Sequence, residues 1–459
     1  MYEGLQMSEL ESPDEDLTIG EPDSEELPDL DAGPQTDSHR IRVTAVTGLA
    51  PQPFPPSHLG VDVEAIVAGQ ISLDVFPALP GPMKFTPGHV IEAGKVTFST
   101  GGSVSTTGLA LHRLGIKTRL MSKVGDDLFG ETILQFIEGQ GEGLARGMVL
   151  IRNAASAYSI IFEPPTGERT VLYSPGDTFG VNDVRYDLLE TAGLFHFGGP
   201  SLVTPPYSDE GAELAHTFAR AKELGVTTSL ALIVPDRAAS AAKADWHAIL
   251  GNVLPYVDVF LPGIEDLLFL LHHQTFERLK AKAGKRRNIL DFIGPEVFSE
   301  MGRTLLDLGA RIVAIKAGYR GLYLCTADMQ ALERLGRAQP TNLVEWEKRE
   351  LWAPCFSTQV VSAEGAGDAT IAGILMGLLR GMMPQATLSA ACAVGAYSVE
   401  AADALSGVKS WPETMERIAA GWPRLKVEKK GRPALNLAAA KWRWDDTYEV
   451  WVGPADRAQ

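Results

Sequence analysis

The chain has 459 residues, 45% of them hydrophobic and 22% charged, with a formal net charge of −17. That length allows one large domain or two ordinary ones, and the apolar content is that of a globular protein. It contains no apolar run of the roughly 18 residues that a spanning helix needs. Its three scattered cysteines support neither a disulfide framework nor a cysteine zinc site, which fits a cytoplasmic protein.

Thirteen carboxylates and no lysine or arginine lie between Glu3 and Asp37, so this stretch carries −13 and the remainder is close to balanced. Residues 1–60 are acidic and proline-rich, ending in Pro51-Gln52-Pro53-Phe54-Pro55-Pro56. Such a composition buries too little apolar surface to offset ordering entropy, and reads as a disordered tail. A solubilising role is the simpler reading and a basic partner the alternative. The tail lacks the basic-then-apolar order of a secretory signal. Nothing basic and aromatic-rich points to nucleic acid, and neither nucleic acid nor membrane is expected as a partner.

Order is expected from Val61, with Val63–Gly69 as a first strand. Phe85–Thr100 is rich in strand formers and lacks helical periodicity. Gly101-Gly102 then precedes a helix over Thr106–Leu114, whose start carries Ser103, Ser105, Thr106 and Thr107. Backbone amides and hydroxyls there suit polyol oxygens, while plain hydroxyl capping explains the same residues. Arg119–Val124 reads as a strand, and Asp126-Asp127 as the turn and cap of the next helix.

Ala157–Phe162 and Thr170–Tyr173 flank Pro164-Pro165-Thr166-Gly167, a hairpin pattern. With Phe85–Thr100 it forms either a small lid-like sheet or an antiparallel edge of the main one. Further strands are expected at Leu194–Phe197, Val257–Leu261 and Arg311–Lys316, between helices such as Gly211–Leu224 and Glu296–Leu308. Strands alternating with helices predict the α/β class, with a parallel sheet covered on both faces. The basic stretch Thr275–Leu290 reads as exposed, and His272-His273 as no metal pair, because adjacent helical residues diverge. Asp236, Asp245, Glu400 and Asp403 suit either a monovalent cation or nucleotide, or turns and caps. The role of Trp442, Trp444 and Trp451 stays open.

Ser362-Ala363-Glu364-Gly365-Ala366-Gly367-Asp368 leads into a helix-like run that stops at Gly381. Unpaired N–H groups at such a helix start can hold an anion, and glycines let it approach closely. A carboxylate beside bound phosphate can take a proton from an attacking hydroxyl, so the pattern suits phosphoryl transfer. A glycine hinge before a packed helix is the plainer reading.

Gly101-Gly102 and its helix, Val124-Gly125-Asp126-Asp127-Leu128-Phe129-Gly130, and Gly365-Ala366-Gly367-Asp368 resemble, in this order, the PfkB (ribokinase-like) sugar kinases. The resemblance runs from about Val61 to Ile418. It implies a doubly wound, mostly parallel α/β domain over 61–425, flanked by helices. Small β-sheet lid segments would lie near 76–100 and 156–174, with 426–459 as a C-terminal extension. It also implies transfer of the γ-phosphate of ATP, with Mg²⁺, to a hydroxyl of a sugar or nucleoside.

On that resemblance Asp368 would be the base, and Gly365, Ala366 and Gly367 the anion hole. Asp74, Gly101, Gly102 and Thr106 would bind the acceptor. Lys316, Gly318 and Gly321 would lie in the nucleotide strand and turn, with Gly167-Glu168-Arg169 as a lid turn. Glu265 would act indirectly on the metal, and an exposed lid sheet could pair two copies. The chain departs from the family at Thr106 and Pro262, which stand for asparagines, at Ala231, where many members carry aspartate, and at Lys316, which replaces a small hydroxyl residue. Lys316 either approaches the ATP phosphates or is an exposed strand-end lysine. Two alternatives follow: a nucleoside kinase, or a catalytically weak sugar-binding regulatory protein.

Overall fold

Val63–Gly69 (β1) is buried along its whole length, as a strand covered on both faces has to be. Ala65 and Val67 enter one apolar cluster while Ile66 and Ala68 enter the other, so the period-two alternation of one strand feeds two cores. The computed structural model describes residues 57, 59–81, 86–163, 170–177, 179–202, 207–233, 240–284, 287–425 and 436–457, all within the unit Ala45–Gln459. Most of the acidic tail, the turn with Gly167-Glu168-Arg169, and Asp236 lie outside the described residues.

In chain order the later strands are Ser72–Pro77 (β2), Val96–Gly101 (β3), Thr118–Met121 (β4), Lys123–Gly125 (β5), Val149–Ile151 (β6), Tyr158–Phe162 (β7) and Thr170–Ser174 (β8). Ala192–Gly198 (β9), Thr227–Ala231 (β10), Val259–Phe260 (β11), Ile312–Lys316 (β12), Leu322–Thr326 (β13), Glu350–Ala353 (β14), Arg443–Asp445 (β15) and Val450–Val452 (β16) follow. Among the described residues one ten-stranded sheet has the order β15-β16-β14-β13-β12-β11-β10-β9-β1-β4. β4 to β12 within it run parallel, and the remaining strands continue antiparallel. The strand order reverses at β1, which has β4 on one side and β9 on the other. Open α/β sheets bind ligands beyond the carboxyl ends of strands at such a reversal.

The small sheet is separate, in the order β3-β2-β7-β8, and not an edge of the main one. Register puts Ser99, Asp74, Ser159 and Tyr173 in one row across it, and Phe98, Val75, Ile160 and Leu172 in the next. Adjacent rows face opposite ways, so the polar Asp74 row and the apolar Val75 row lie on opposite faces.

Two expectations change, and one open point is answered. Arg119–Val124 is not one strand: Ser122 donates to the Gly69 carbonyl at 2.6 Å, and beyond this break β5 pairs with β6 in a sheet of its own. Within Phe85–Thr100 only Val96 onward is strand, because Pro87-Gly88 makes a turn and the chain to Lys95 is irregular; Phe85 lies outside the described residues. The tryptophan-bearing segment docks as β15 and β16 on β14. Trp442 is buried against Trp352 and Tyr323. Glu350 secures it, accepting from Ser299, Tyr323 and the Ala455 N–H.

The helices expected at 106, 211 and 296 form over Ser103–Arg113, Ala212–Glu223 and Pro295–Asp307. The helix Ala366–Leu379 packs between the Ser103 helix and Pro384–Ser398. Its far end is tied down by Arg380, which donates two hydrogen bonds to Glu64 and one to the Gly115 carbonyl. Both members of this pair are 2% exposed. Burial favours the neutral acid, but the Arg380 guanidinium and the Lys117 N–H outweigh it and hold Glu64 below its ordinary 4.5. The pair's contribution is therefore present above that value and is lost as pH falls through the folded one.

Arg380→Met leaves a buried carboxylate unpaired and is expected to cost about 3–5 kcal/mol of unfolding free energy in denaturant titration. Adding Glu64→Leu is expected to restore most of it, since the cost lies in the orphaned charge.

Candidate active site

Asp368 sits in the first turn of the Ala366–Leu379 helix. Its carboxylate accepts hydrogen bonds from Thr106 at 2.5 Å and Thr107 at 3.2 Å. These hydroxyls belong to the start of the Ser103 helix, so the two motifs form one site. None of its four hydroxyls caps that helix: Ser105 pairs with Thr100, while Thr106 and Thr107 hold Asp368. No side chain caps the Ala366 helix either. Its N-cap, Gly365, has φ +69, and a Cβ there would stand 2.3 Å from the Ala404 methyl. Only glycine fits that turn.

Asp74 reaches the same place from the small sheet. It is 8% exposed, accepts from Ser72 at 2.9 Å, and fills the space beside Gly101, where a Cβ would come within 2.1 Å of its carboxylate. The neighbouring Tyr173 phenol is pushed up to about 12, by burial and then by the Asp74 charge. Gly102 crosses the β1–β2 connection, with its Cβ position 2.4 Å from the Gln70 oxygen.

Lys316 ends β12, partly buried. Its amine lies 3.8 Å from the point where Gly367 would carry a Cβ. Burial lowers its pKa, while Asp266 and Asp368 act in the opposite direction. It is therefore not a free surface lysine but a cation set among two carboxylates and the helix start. Gly318 and Gly321 form the tight turn after it, the Gly321 N–H donating to the Gly318 carbonyl at 3.0 Å. Gly318 is exposed and Gly321 is packed on Ala353.

Glu265 and Asp266 lie in the first turn of the helix Ile264–Leu271. Burial, then Asp266, pushes the Glu265 carboxyl up. Of these two, it is Asp266 that acts on Lys316, and it also caps its helix, accepting from the Gly263 N–H at 2.8 Å.

A helix start, a first-turn aspartate, a nearby lysine and Asp74 of the small sheet thus converge beyond the carboxyl ends of β1 and β12. Residues 65–411 match the family model described as pfkB family carbohydrate kinase. The chain belongs to that family. A 2-dehydro-3-deoxygluconokinase of Bacillus subtilis is 26% identical over 335 residues, which is 70% of this chain and 87% of that protein. The structure of Arabidopsis thaliana ribokinase complexed with ribose and ATP superposes with a TM-score of 0.57 at 15% identity, covering 78% of this chain and 98% of that one. An Escherichia coli structure titled as a putative ribokinase II with ATP and Mg²⁺ gives 0.57 at 17%, covering 78% and 99%. The protein is an ATP-dependent carbohydrate kinase with the ribokinase-like fold.

In this kinase several acidic residues serve the scaffold. Asp127 accepts from the Gly130 and Ser156 N–H groups, and Asp126 from that of Asn153, as turn and cap residues should. Asp245 caps a helix through Ala248, Asp403 accepts from Leu405 and Ser406, and Glu400 pairs with Arg417. No group of three or more metal-type side chains occurs among the described residues, nor does any helix long and apolar enough to cross a membrane.

Sequence reasoning missed Asp266, Ser99, Ser159 and Tyr173, and took Thr107 as a ligand hydroxyl or cap rather than a partner of Asp368. The alternation of polar and apolar residues along β3 carried a signal for Ser99; nothing local marked Ser159 or Asp266. It also missed His196, in the middle of β9 and fully buried. His196 Nδ1 shares a hydrogen bond with the Ser229 hydroxyl at 2.9 Å, and Nε2 has no protein partner. Burial, then Lys316, pushes its pKa from 6.5 down to about 3.

The unfolded chain takes up a proton below 6.5 that the folded kinase refuses, so stability falls on acidification between those values. His196→Gln is expected to flatten the dependence by up to about 1.4 kcal/mol per pH unit in that window. Denaturant titrations from pH 7 to 5 check it.

Proposed function

We propose that this kinase transfers the γ-phosphoryl group of ATP to a hydroxyl of a sugar or sugar derivative, with Asp368 as general base. The observation that carries this is the placement of Asp368 between the Thr106 and Thr107 hydroxyls and the uncapped helix start beside Lys316. Asp368 takes the acceptor's proton as its oxygen attacks phosphorus. The Gly365–Gly367 backbone and the Lys316 ammonium meet the charge carried by the transferring group. Gly367, exposed and without a side chain, leaves the lysine its path to that charge.

Burial first, and the Asp266 charge second, raise Glu265, and a divalent cation beside this pair would relieve the second effect. Mg²⁺ accompanying ATP would neutralise phosphate charge there. The exposed Gly318 belongs to the nucleotide side of the site.

On the acceptor side, Asp74 and the row Ser99, Ser159 and Tyr173 present a polar face suited to several hydroxyls. That face supports a lid role for the small sheet. Its opposite face leaves Phe98 55% and Leu172 51% exposed, a surface through which two copies would pair. A nucleoside acceptor is less well served, because the Tyr158 ring is engaged edge-on with Phe129. The relatives named as a 2-dehydro-3-deoxygluconokinase and a ribokinase support a carbohydrate acceptor.

Acceptor-dependent ADP release from Mg·ATP, screened over sugars, sugar acids, sugar phosphates and nucleosides, tests the reading. Asp368→Asn is expected to lose about 10²–10⁴ in kcat with ATP binding retained. Undiminished turnover removes Asp368 from the role. Ligand binding without release for any acceptor points to a regulatory protein instead. Asp74→Ala is expected to raise KM for the acceptor with little change in KM for ATP, and equal changes in both would defeat its assignment.

A further inference from the structure

Cys355 and Cys392, remote in sequence, come together where the end of β14 meets the helix Pro384–Ser398. Cys392 is 3% exposed, with its sulfur 3.6 Å from the Ala353 carbonyl oxygen. Cys355 is partly exposed and donates to the Gly318 carbonyl at 3.4 Å. Gly321 pinches the two carbonyl-bearing segments together: its Cβ position is 1.9 Å from the Ala353 oxygen and 3.0 Å from the Cys355 nitrogen. The Cys392 sulfur thus lies against the carbonyl two residues before Cys355, and each thiol is the largest influence on the other's ionisation. The neighbouring Cys392, helped by Arg424 against burial, holds the Cys355 thiol below its ordinary value, and Cys355 in turn pushes Cys392 up.

Arg424 closes the site from outside. Its guanidinium donates to Pro354 at 2.9 Å and lies 3.9 Å from the Phe356 ring centre, while the Leu425 N–H bonds the Cys355 carbonyl at 2.7 Å. A partly exposed thiol of lowered pKa beside a cation and a second thiol is the arrangement of a reactive cysteine with its resolving partner. Cys325, buried and pushed up to about 12 by that burial, is the inert contrast. Phosphoryl transfer uses none of the three.

We propose that Cys355 and Cys392 form a reversible disulfide on exposure to a peroxide, a modification site directly behind the Gly318 turn. The Cys355 thiolate attacks one peroxide oxygen, the O–O bond breaks, and the hydroxide released takes up a proton as water. Cys355 is left as a sulfenic acid. The Cys392 sulfur attacks that sulfur, the S–O bond breaks, and hydroxide leaves with the Cys392 proton as a second water. Two thiols lose two electrons, and one peroxide becomes two waters. Closing to the S–S length of about 2.0 Å takes the Cys355 sulfur off the Gly318 carbonyl. Resting on the assignment of that turn to the nucleotide, the oxidised kinase binds ATP more weakly.

The test treats the full chain with hydrogen peroxide, alkylates it after denaturation, and counts thiols and linked peptides by mass spectrometry. Two of the three thiols are expected to disappear into a Cys355–Cys392 link and to return with dithiothreitol. Cys392→Ser is expected to leave Cys355 as a sulfenic acid that a dimedone probe captures. Three free thiols after treatment, or a disulfide that persists in Cys392→Ser as a cross-linked pair of chains, would overturn the proposal. In an enzyme with measured turnover, KM for ATP is expected to rise several-fold on oxidation, reversibly, with KM for the acceptor unchanged. A disulfide without that rise overturns the link to the turn. If no acceptor supports turnover, the functional reading fails on its own and the thiol count still decides the disulfide.

Discussion

Two helix starts from distant parts of the chain meet at one carboxylate, Asp368, held by Thr106 and Thr107. Helix starts repel one another, because both present unpaired N–H groups and the positive end of a dipole. A carboxylate between them turns that repulsion into attraction. The other site residues fall into place around it: Gly101 gives Asp74 room, Gly365 sets the angle of the Ala366 helix, and Lys316 supplies a cation from β12.

The same helix is anchored at its other end by a different kind of charge pairing. Arg380 and Glu64 are sealed from water and satisfied by further hydrogen bonds, and such a pair contributes position more than stability. One end of the helix thus meets the Ser103 helix at Asp368, and the other is bolted to the first strand of the sheet. Buried His196 adds a neutral polar group between Ser229 and the field of Lys316.

Much of this was legible in the sequence, for physical reasons. Alternating strands and helices, and glycines at two helix starts, are local patterns, and the local patterns of Ser103–Arg113 and Ala366–Leu379 held. Carboxylates read as caps, such as Asp127, were also local. What escaped depends on tertiary placement. The interruption at Ser122 comes from a hydroxyl reaching a carbonyl in another strand. Thr107 and Asp266 look like ordinary helix-start residues until the fold sets them beside Asp368 and Lys316. The cysteines looked too far apart to matter, because spacing along a chain says little about distance across a sheet and the helix packed on it. The tryptophans near the end gave no periodic signal, since strands as short as β15 and β16 have no room for one.

That late pair of strands bears on how the chain is made. β14 takes its outer neighbour from residues that leave the ribosome long after it does. Until they arrive, the open edge of β14 offers unpaired backbone groups beside Trp352, which later packs on Trp442. Exposed edges of this kind recruit other chains. The nascent protein is therefore open to misassociation late in synthesis, after the Ala366–Leu379 segment has emerged, and a chaperone that shields β14 would act in that interval.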